Sequence, residues 1–255
     1  MVIEHIEKSW LVYRKNFCPL TTAIFLQLLI VGILLLIAIA PWIFILLSFR
    51  GSNIMTLLWY NMGVLFFSVI FFAVSTILSV VLNGGFVKML YESFRGKTRF
   101  ETMLKTAREK FWTILGANSL FLLIFLLILG ALLVPIASLM SFSFSQGVSM
   151  LYLFVIILTI ILGAVVFGMV SVLFIFVNQA IVIDNLKAVP AIKKSYEVAK
   201  KSFLTILGIM VIFILINIAL TTVFSFIGSI LEWFVTQPLI LLSYTSVYLE
   251  RRRKK

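Results

Sequence analysis

Charge is scarce in this sequence, and the scarcity is organised. Only 12% of its 255 residues are Asp, Glu, Lys or Arg, while 63% are hydrophobic. A soluble globular domain carries about 25% charged residues, so a soluble fold is excluded. Five stretches hold no charge at all: 16–49, 51–87, 111–183, 202–231 and 233–249. Cysteine is almost absent as well. Cys18 stands alone, so no intrachain disulfide can form; at a membrane boundary it is open to palmitoylation, although a buried, inert thiol is the expectation. There is one histidine, His5, around which the sequence offers no metal-ligand set and no Ser-His-Asp or Cys-His arrangement. Gly84-Gly85 lacks the Gly-Lys-Ser/Thr ending of a phosphate loop and reads instead as a place of close helix packing or a bend. With no catalytic, cofactor or metal motif, the chain is not expected to be an enzyme or to carry a cofactor.

What is there is greasy and long. A membrane-spanning helix needs roughly 20 apolar residues, with a lower limit near 17. Four of the uncharged runs hold one span each, and the run 111–183 is long enough to require two. A turn inside it is expected at Ser138, Ser141, Ser143, Ser145, Gln146 and Gly147. The fold class that follows is all-α integral membrane with six transmembrane helices, the last of them, in 233–249, the shortest.

The Lys and Arg residues then set the orientation. Twenty of the 21 lie in four clusters, Lys8 to Lys15, Lys88 to Lys110, Lys187 to Lys201 and Arg251 to Lys255; the exception is Arg50. With six spans, Arg50 and Glu232 fall on one face, and the whole net charge of +12 falls on the other. Basic residues are retained on the cytoplasmic side, so both termini are expected inside, in a multi-pass protein of the cell membrane. The basicity is read as topology plus contact with anionic headgroups, not as a nucleic-acid interface. The start does not read as a cleaved signal peptide, because its apolar run far exceeds a 7–15-residue h-region.

The chain also repeats itself. With Phe17, Phe111 and Phe203 superposed, Phe111-Trp112-Thr113-Ile114-Leu115-Gly116 faces Phe203-Leu204-Thr205-Ile206-Leu207-Gly208. Arg14, Arg108 and Lys200 align, as do Trp10, Leu104 and Tyr196; Pro41 and Pro135 share one offset, where the third copy has Ile227-Gly228. Each unit reads as a short amphipathic helix followed by a helical hairpin, in a single membrane domain 1–255 with repeats at roughly 1–97, 98–187 and 188–255. The apolar stripe Ile3, Ile6, Trp10, Tyr13, Phe17 opposes Glu4, Lys8 and Lys15 in the first unit, and the other two repeat the pattern. Helices of this kind lie in the interface plane. Pro41 and Pro135 are expected to start the outer turns.

No ionisable residue is expected within the hydrocarbon depth, which argues against a proton-driven transporter. Two readings of function lead; a third, a lipid-modifying enzyme, would need a cluster of acid, base or metal-binding groups that the sequence does not offer. In the first, the chain is a non-enzymatic scaffold or accessory subunit whose basic helices engage anionic lipid or a protein partner through Lys105, Arg108, Lys193, Lys194, Lys200 and Lys201. In the second, it is a channel or transporter with a path lined by Asn118, Ser119, Asn217 and Thr221, Asn118, Asn217 and Thr221 being the candidate intramembrane polar site.

Finally, 191–203 (AIKKSYEVAKKSF) after Ile181-Val182-Ile183-Asp184, Gly84-Gly85-Phe86 followed by Tyr91 and Arg95-Gly96-Lys97, and the closing Tyr244, Tyr248 and Arg251-Arg252-Arg253 form a pattern. It resembles that of prokaryotic six-helix membrane proteins related to the membrane domain of glycerophosphoryl diester phosphodiesterases. The resemblance implies the six-helix fold and a prokaryotic cell membrane. The soluble phosphodiesterase barrel has no counterpart in this sequence, so no catalytic residue carries over.

Overall fold

The computed structural model describes residues 2–48, 54–96, 98–146 and 150–253. Arg50 and Gly147 lie outside them. Among the described residues there is no strand, and six helices are long and apolar enough to cross a membrane. This is a polytopic, all-helical membrane protein.

Its elements are α1 (Val2–Lys15), α2 (Phe17–Ser48), α3 (Ile54–Ser93), α4 (Phe100–Glu109), α5 (Phe111–Gln146), α6 (Met150–Phe174), α7 (Val177–Ile183), α8 (Ala188–Leu231), a π-helical turn (Glu232–Thr236) and α9 (Gln237–Arg253). α2 pairs with α3, α5 with α6, and α8 with the π-turn and α9, giving three hairpins. Proline sets the first break. Pro19 has no N–H for the carbonyl of Lys15 and its ring crowds that turn, so α1 ends at Lys15 and α2 starts afresh. The α6–α7 break is held by Ser195 of α8, whose Oγ accepts from the Phe176 N–H at 3.1 Å and donates to the Leu173 carbonyl at 2.6 Å.

Four sequence expectations are corrected. The serines 138, 141, 143 and 145 lie within α5, which runs to Gln146. Pro41 sits inside α2 and position 135 inside α5, rather than starting outer turns. The third amphipathic segment is not a separate helix but the first turns of α8. Cys18 is exposed, not buried. The glycine pair does permit close packing: a Cβ on Gly84 would collide with the Ile114 side chain, and one on Gly85 with the Met103 carbonyl.

The core gathers at one end of the bundle. Tyr13, Phe86, Phe176 and Tyr248, with Leu20, Ile114 and Ile206, are at most 2% exposed. The basic clusters meet around the same core. α1 lies along α9; Lys110 donates to Asn185 Oδ1; Arg251 Nε donates to Ser202 Oγ at 2.9 Å; Arg252 pairs with Asp184. We call this the basic end. Beyond it the spans carry large apolar side chains on the surface, from Trp112 and Leu204, 79% and 80% exposed, outward. Such a surface is stable only in lipid or against another apolar face.

Candidate functional sites at the basic end and within the spans

α1 packs through a face that joins two of its polar residues to Tyr13 of the apolar stripe. His5, Ser9 and Tyr13 are buried, whereas Ile3, Trp10 and Leu11 are exposed. The polar groups find partners on α9. His5 Nδ1 is hydrogen-bonded to Ser246 Oγ at 3.0 Å, and Nε2 lies 3.1 Å from Glu250 Oε2. Burial lowers the His5 pKa, with Glu250 acting in the opposite sense. Tyr13 donates to the Phe234 carbonyl at 2.6 Å. That carbonyl is the one Pro238, having no N–H, leaves without a helical partner, at the π-turn. Burial pushes the Tyr13 hydroxyl up to about 12, so it remains a donor. α1 therefore runs antiparallel to α9, and the expectation of a helix resting only in the interface plane is corrected for this segment.

The expectation that no Ser-His-acid set forms around His5 is corrected too. The sequence hides it because Ser246 and Glu250 lie more than 240 residues away. Ser246 is 3% exposed inside α9, so the set ties α1 to α9.

A second cluster joins the other helix ends. Tyr248 donates to Asp184 Oδ2 at 2.5 Å, and Arg252 Nε stands 2.8 Å from Oδ1, an ion pair in distance without hydrogen-bond alignment. Nearby, Arg95 lies over the Tyr91 ring at 4.6 Å. Tyr91, Asp184, Ser195, Tyr248 and Arg252, which belong to the sequence resemblance, thus make contacts at the basic end.

Among the described residues each hairpin has an amide cross-link, and the first hairpin is also joined where Trp42 Nε1 donates to Ser68 Oγ at 2.7 Å. Gln27 donates to Asn83 at 3.1 Å, Asn118 to Asn178 at 3.4 Å and Asn217 to Glu232 at 3.1 Å. The three donors follow their aligned phenylalanines by seven, ten and fourteen residues, in the order Asn118, Gln27, Asn217. Steps of three and four share one helix face, so the amides recur on one face at rising depth. Each bond contributes about 0.6–2 kcal/mol. Asn118 and Asn217 consequently belong to different pairs, roughly 10 Å apart in depth at 1.5 Å per residue, and do not form the joint site expected with Thr221. Thr221 is exposed and bonds back to Asn217 O.

Glu232 overturns the expectation of spans free of ionisable groups. The chain turns at Ser225 (φ 46°, ψ −113°), not at Glu232. That puts Glu232 inside the returning span, about 10 Å below the tip and level with Asn217. Sequence reasoning placed it in a connection because a lone carboxylate conventionally ends an apolar run.

The expected headgroup contacts are exposed: Lys105, Arg108, Lys193, Lys200 and Lys201, with Lys194 half-buried. Lys105 Nζ lies 4.0 Å from Glu109 Oε1 on the same surface. Beside them Trp10, Leu104 and Tyr196, one from each segment, are 47%, 42% and 48% exposed. One position earlier, Ser9, Met103 and Ser195 are each fully buried. Among the described residues no group of three or more His, Cys, Asp and Glu side chains could hold a metal ion.

No curated protein matches the chain, and no solved structure does. A family model described as a domain of unknown function, DUF7847, matches residues 23–249, nearly the whole span from α2 to the end of α9, and the chain belongs to that family.

Proposed function

We propose that this is a non-enzymatic scaffold or accessory subunit of the prokaryotic cell membrane, with both termini cytoplasmic and its basic end seated on anionic headgroups or a partner. One observation carries the reading. At the three aligned positions Trp10, Leu104 and Tyr196, apolar or aromatic side chains face outward to nearly the same degree, beside exposed Arg14, Arg108 and Lys200. An outward face that is apolar and cationic at one level suits the boundary between acyl chains and phosphates. The matched burial of Ser9, Met103 and Ser195, and of Leu20, Ile114 and Ile206, supports three repeats of one unit. Kinship with the membrane domain of glycerophosphoryl diester phosphodiesterases belongs to the same proposal.

The channel reading draws less support. Asn118 and Asn217 are engaged in separate pairs, and Tyr13, Phe86, Phe176 and Tyr248 fill the basic end. The test is lipid preference. Protein reconstituted with phosphatidylglycerol and phosphatidylcholine should enrich the anionic lipid around itself. Reversing Lys193, Lys194, Lys200 and Lys201 to Glu should abolish the enrichment. Equal association with both lipids in the unmutated protein defeats the proposal.

A further inference from the structure

Between α1 and the end of α9 lies a cleft of about 290 Å³, lined by Glu4, His5, Lys8 and Phe94 and, from α9, by Ser246, Leu249, Glu250 and Arg253. The His5–Ser246 and His5–Glu250 contacts form part of its wall. Its charges have a pattern. α1 supplies Glu4 and Lys8, four residues apart, and α9 supplies Glu250 and Arg253, three apart, so each pair stacks on one helix face. With His5 neutral the formal charges cancel. A purely anionic ligand would meet two carboxylates here, and a purely cationic one would meet two cations. A ligand bearing both signs a few bonds apart meets neither penalty.

We propose that this cleft is a binding site for one zwitterionic aminophosphate headgroup of the phosphoethanolamine type, supplied by a membrane lipid. The proposal rests on the reading that the basic end lies at a membrane surface, and goes beyond it by naming a single site and a headgroup.

Lys8 and Arg253 take the phosphate, and the carboxylates Glu4 and Glu250 face the ammonium. The floor is fixed before the ligand arrives. His5 is 6% exposed and bonded through both ring nitrogens, which holds α1 against α9. Lys8 is steadied at the mouth, its ammonium 5.9 Å from the Phe94 ring centre. A primary ammonium suits carboxylates because its N–H groups donate to them. A quaternary choline would need an aromatic cage, and the one aromatic lining residue, Phe94, already carries Lys8. The source is a lipid because the rim is apolar: Phe94 and Leu249 border the cleft, and Ile3 and Leu11 beside it on α1 are 75% and 60% exposed. Acyl chains can run along that side while the headgroup sits within.

The experiment uses the full chain in nanodiscs of dioleoyl-phosphatidylcholine, with part of that lipid replaced by dioleoyl-phosphatidylethanolamine. Thermal unfolding should rise by roughly 4–8 °C on the replacement, in the range a saturating ligand gives a chain of this size. The double variant Lys8→Gln, Arg253→Gln should lose most of that rise. Equal unfolding temperatures in the two lipids overturn the proposal, and so does an undiminished rise in the variant. If soluble glycerophosphoethanolamine produces the same rise in phosphatidylcholine discs, the ligand is not a lipid and the proposal fails in its source. Should the variant not fold, native mass spectrometry of the wild-type protein decides: one retained phosphatidylethanolamine supports the site, and none overturns it. Phosphatidylglycerol enrichment, which reports on Lys193, Lys194, Lys200 and Lys201, is measured separately, so either reading can fail alone.

Discussion

The hairpin that begins near Phe203 turns back at Ser225, while the two that begin at Phe17 and Phe111 keep their helical paths to Ser48 and Gln146. Its tip therefore stops roughly 14–20 Å nearer the basic end. The two kinds of hairpin are held differently. Away from the basic end, where Gly84 and Gly85 of α3 are closely packed, glycines 32, 63, 130 and 168 of the long hairpins have open space where a Cβ would go. The short one concentrates irregularity: a left-handed Ser225, a Gly228 pressed against the Leu220 carbonyl, a π-turn before Pro238, and a carboxylate paired to an amide. Each irregular feature has a specific partner. Away from the basic end, single substitutions should accordingly hurt the short hairpin far more than the long ones.

The largest effect should come at the tip. Gly228→Ala forces a methyl into the Leu220 carbonyl and should cost more than about 3 kcal/mol, since backbone there cannot give way cheaply. Gly32→Ala or Gly130→Ala should be neutral, or stabilising by up to about 1 kcal/mol through helix propensity. Thermal unfolding in detergent compares them; similar losses at both would erase the distinction between hairpins.

Next comes the carbonyl freed by Pro238. Tyr13→Phe removes its buried donor and should cost about 1–3 kcal/mol. In a Pro238→Ala background, where residue 238 regains an N–H, the same change should cost measurably less. An unchanged cost would mean that Tyr13 acts by packing alone.

The polar cross-links sharpen the comparison further. Asn217→Leu strands the Glu232 carboxylate and should cost about 2 kcal/mol or more, whereas Glu232→Leu added to it should recover most of the loss. Gln27→Leu in a long hairpin should cost only ~0.6 kcal/mol, because its neutral partner Asn83 is cheaper to leave alone. A double-mutant cycle on each pair reads the difference.

The smallest expected effect depends on pH. Burial lowers the His5 pKa below its usual 6.5, so the docked α1 favours the neutral ring. Its contribution is complete above pH 6.5 and is lost as the pH falls from there toward the lowered value. Protection factors for hydrogen exchange along α1 should fall as the pH drops through that window, and His5→Gln should flatten the response.

The six spans were legible because uncharged runs of this length admit little else. The basic end was legible as well, since Lys and Arg clusters mark where chains leave lipid. The missing Pro in the third unit was visible but not its cause: at that offset, Ile227 already lies beyond the tip at Ser225. Three further features were hidden for physical reasons. The Ser138 to Ser145 cluster looks like a turn, yet serine can bond its own helix and stay in it. Glu232 looks like a boundary because its partner Asn217 lies on the other arm. His5 looks solvated because only tertiary packing brings Ser246 and Glu250 to it. The first apolar stripe divides: Ile3, Trp10 and Phe17 face outward, while Tyr13 is buried with His5 and Ser9.

The central claim is that every basic cluster sits at one surface and the hairpin tips point to the other. In a Cys18→Ser background, single cysteines at Lys105 and Lys193, both exposed, should react with a membrane-impermeant maleimide from one side of sealed vesicles. A cysteine at position 145 should react from the opposite side. If position 145 is reachable only from the side that labels Lys105 and Lys193, the six-span arrangement is contradicted.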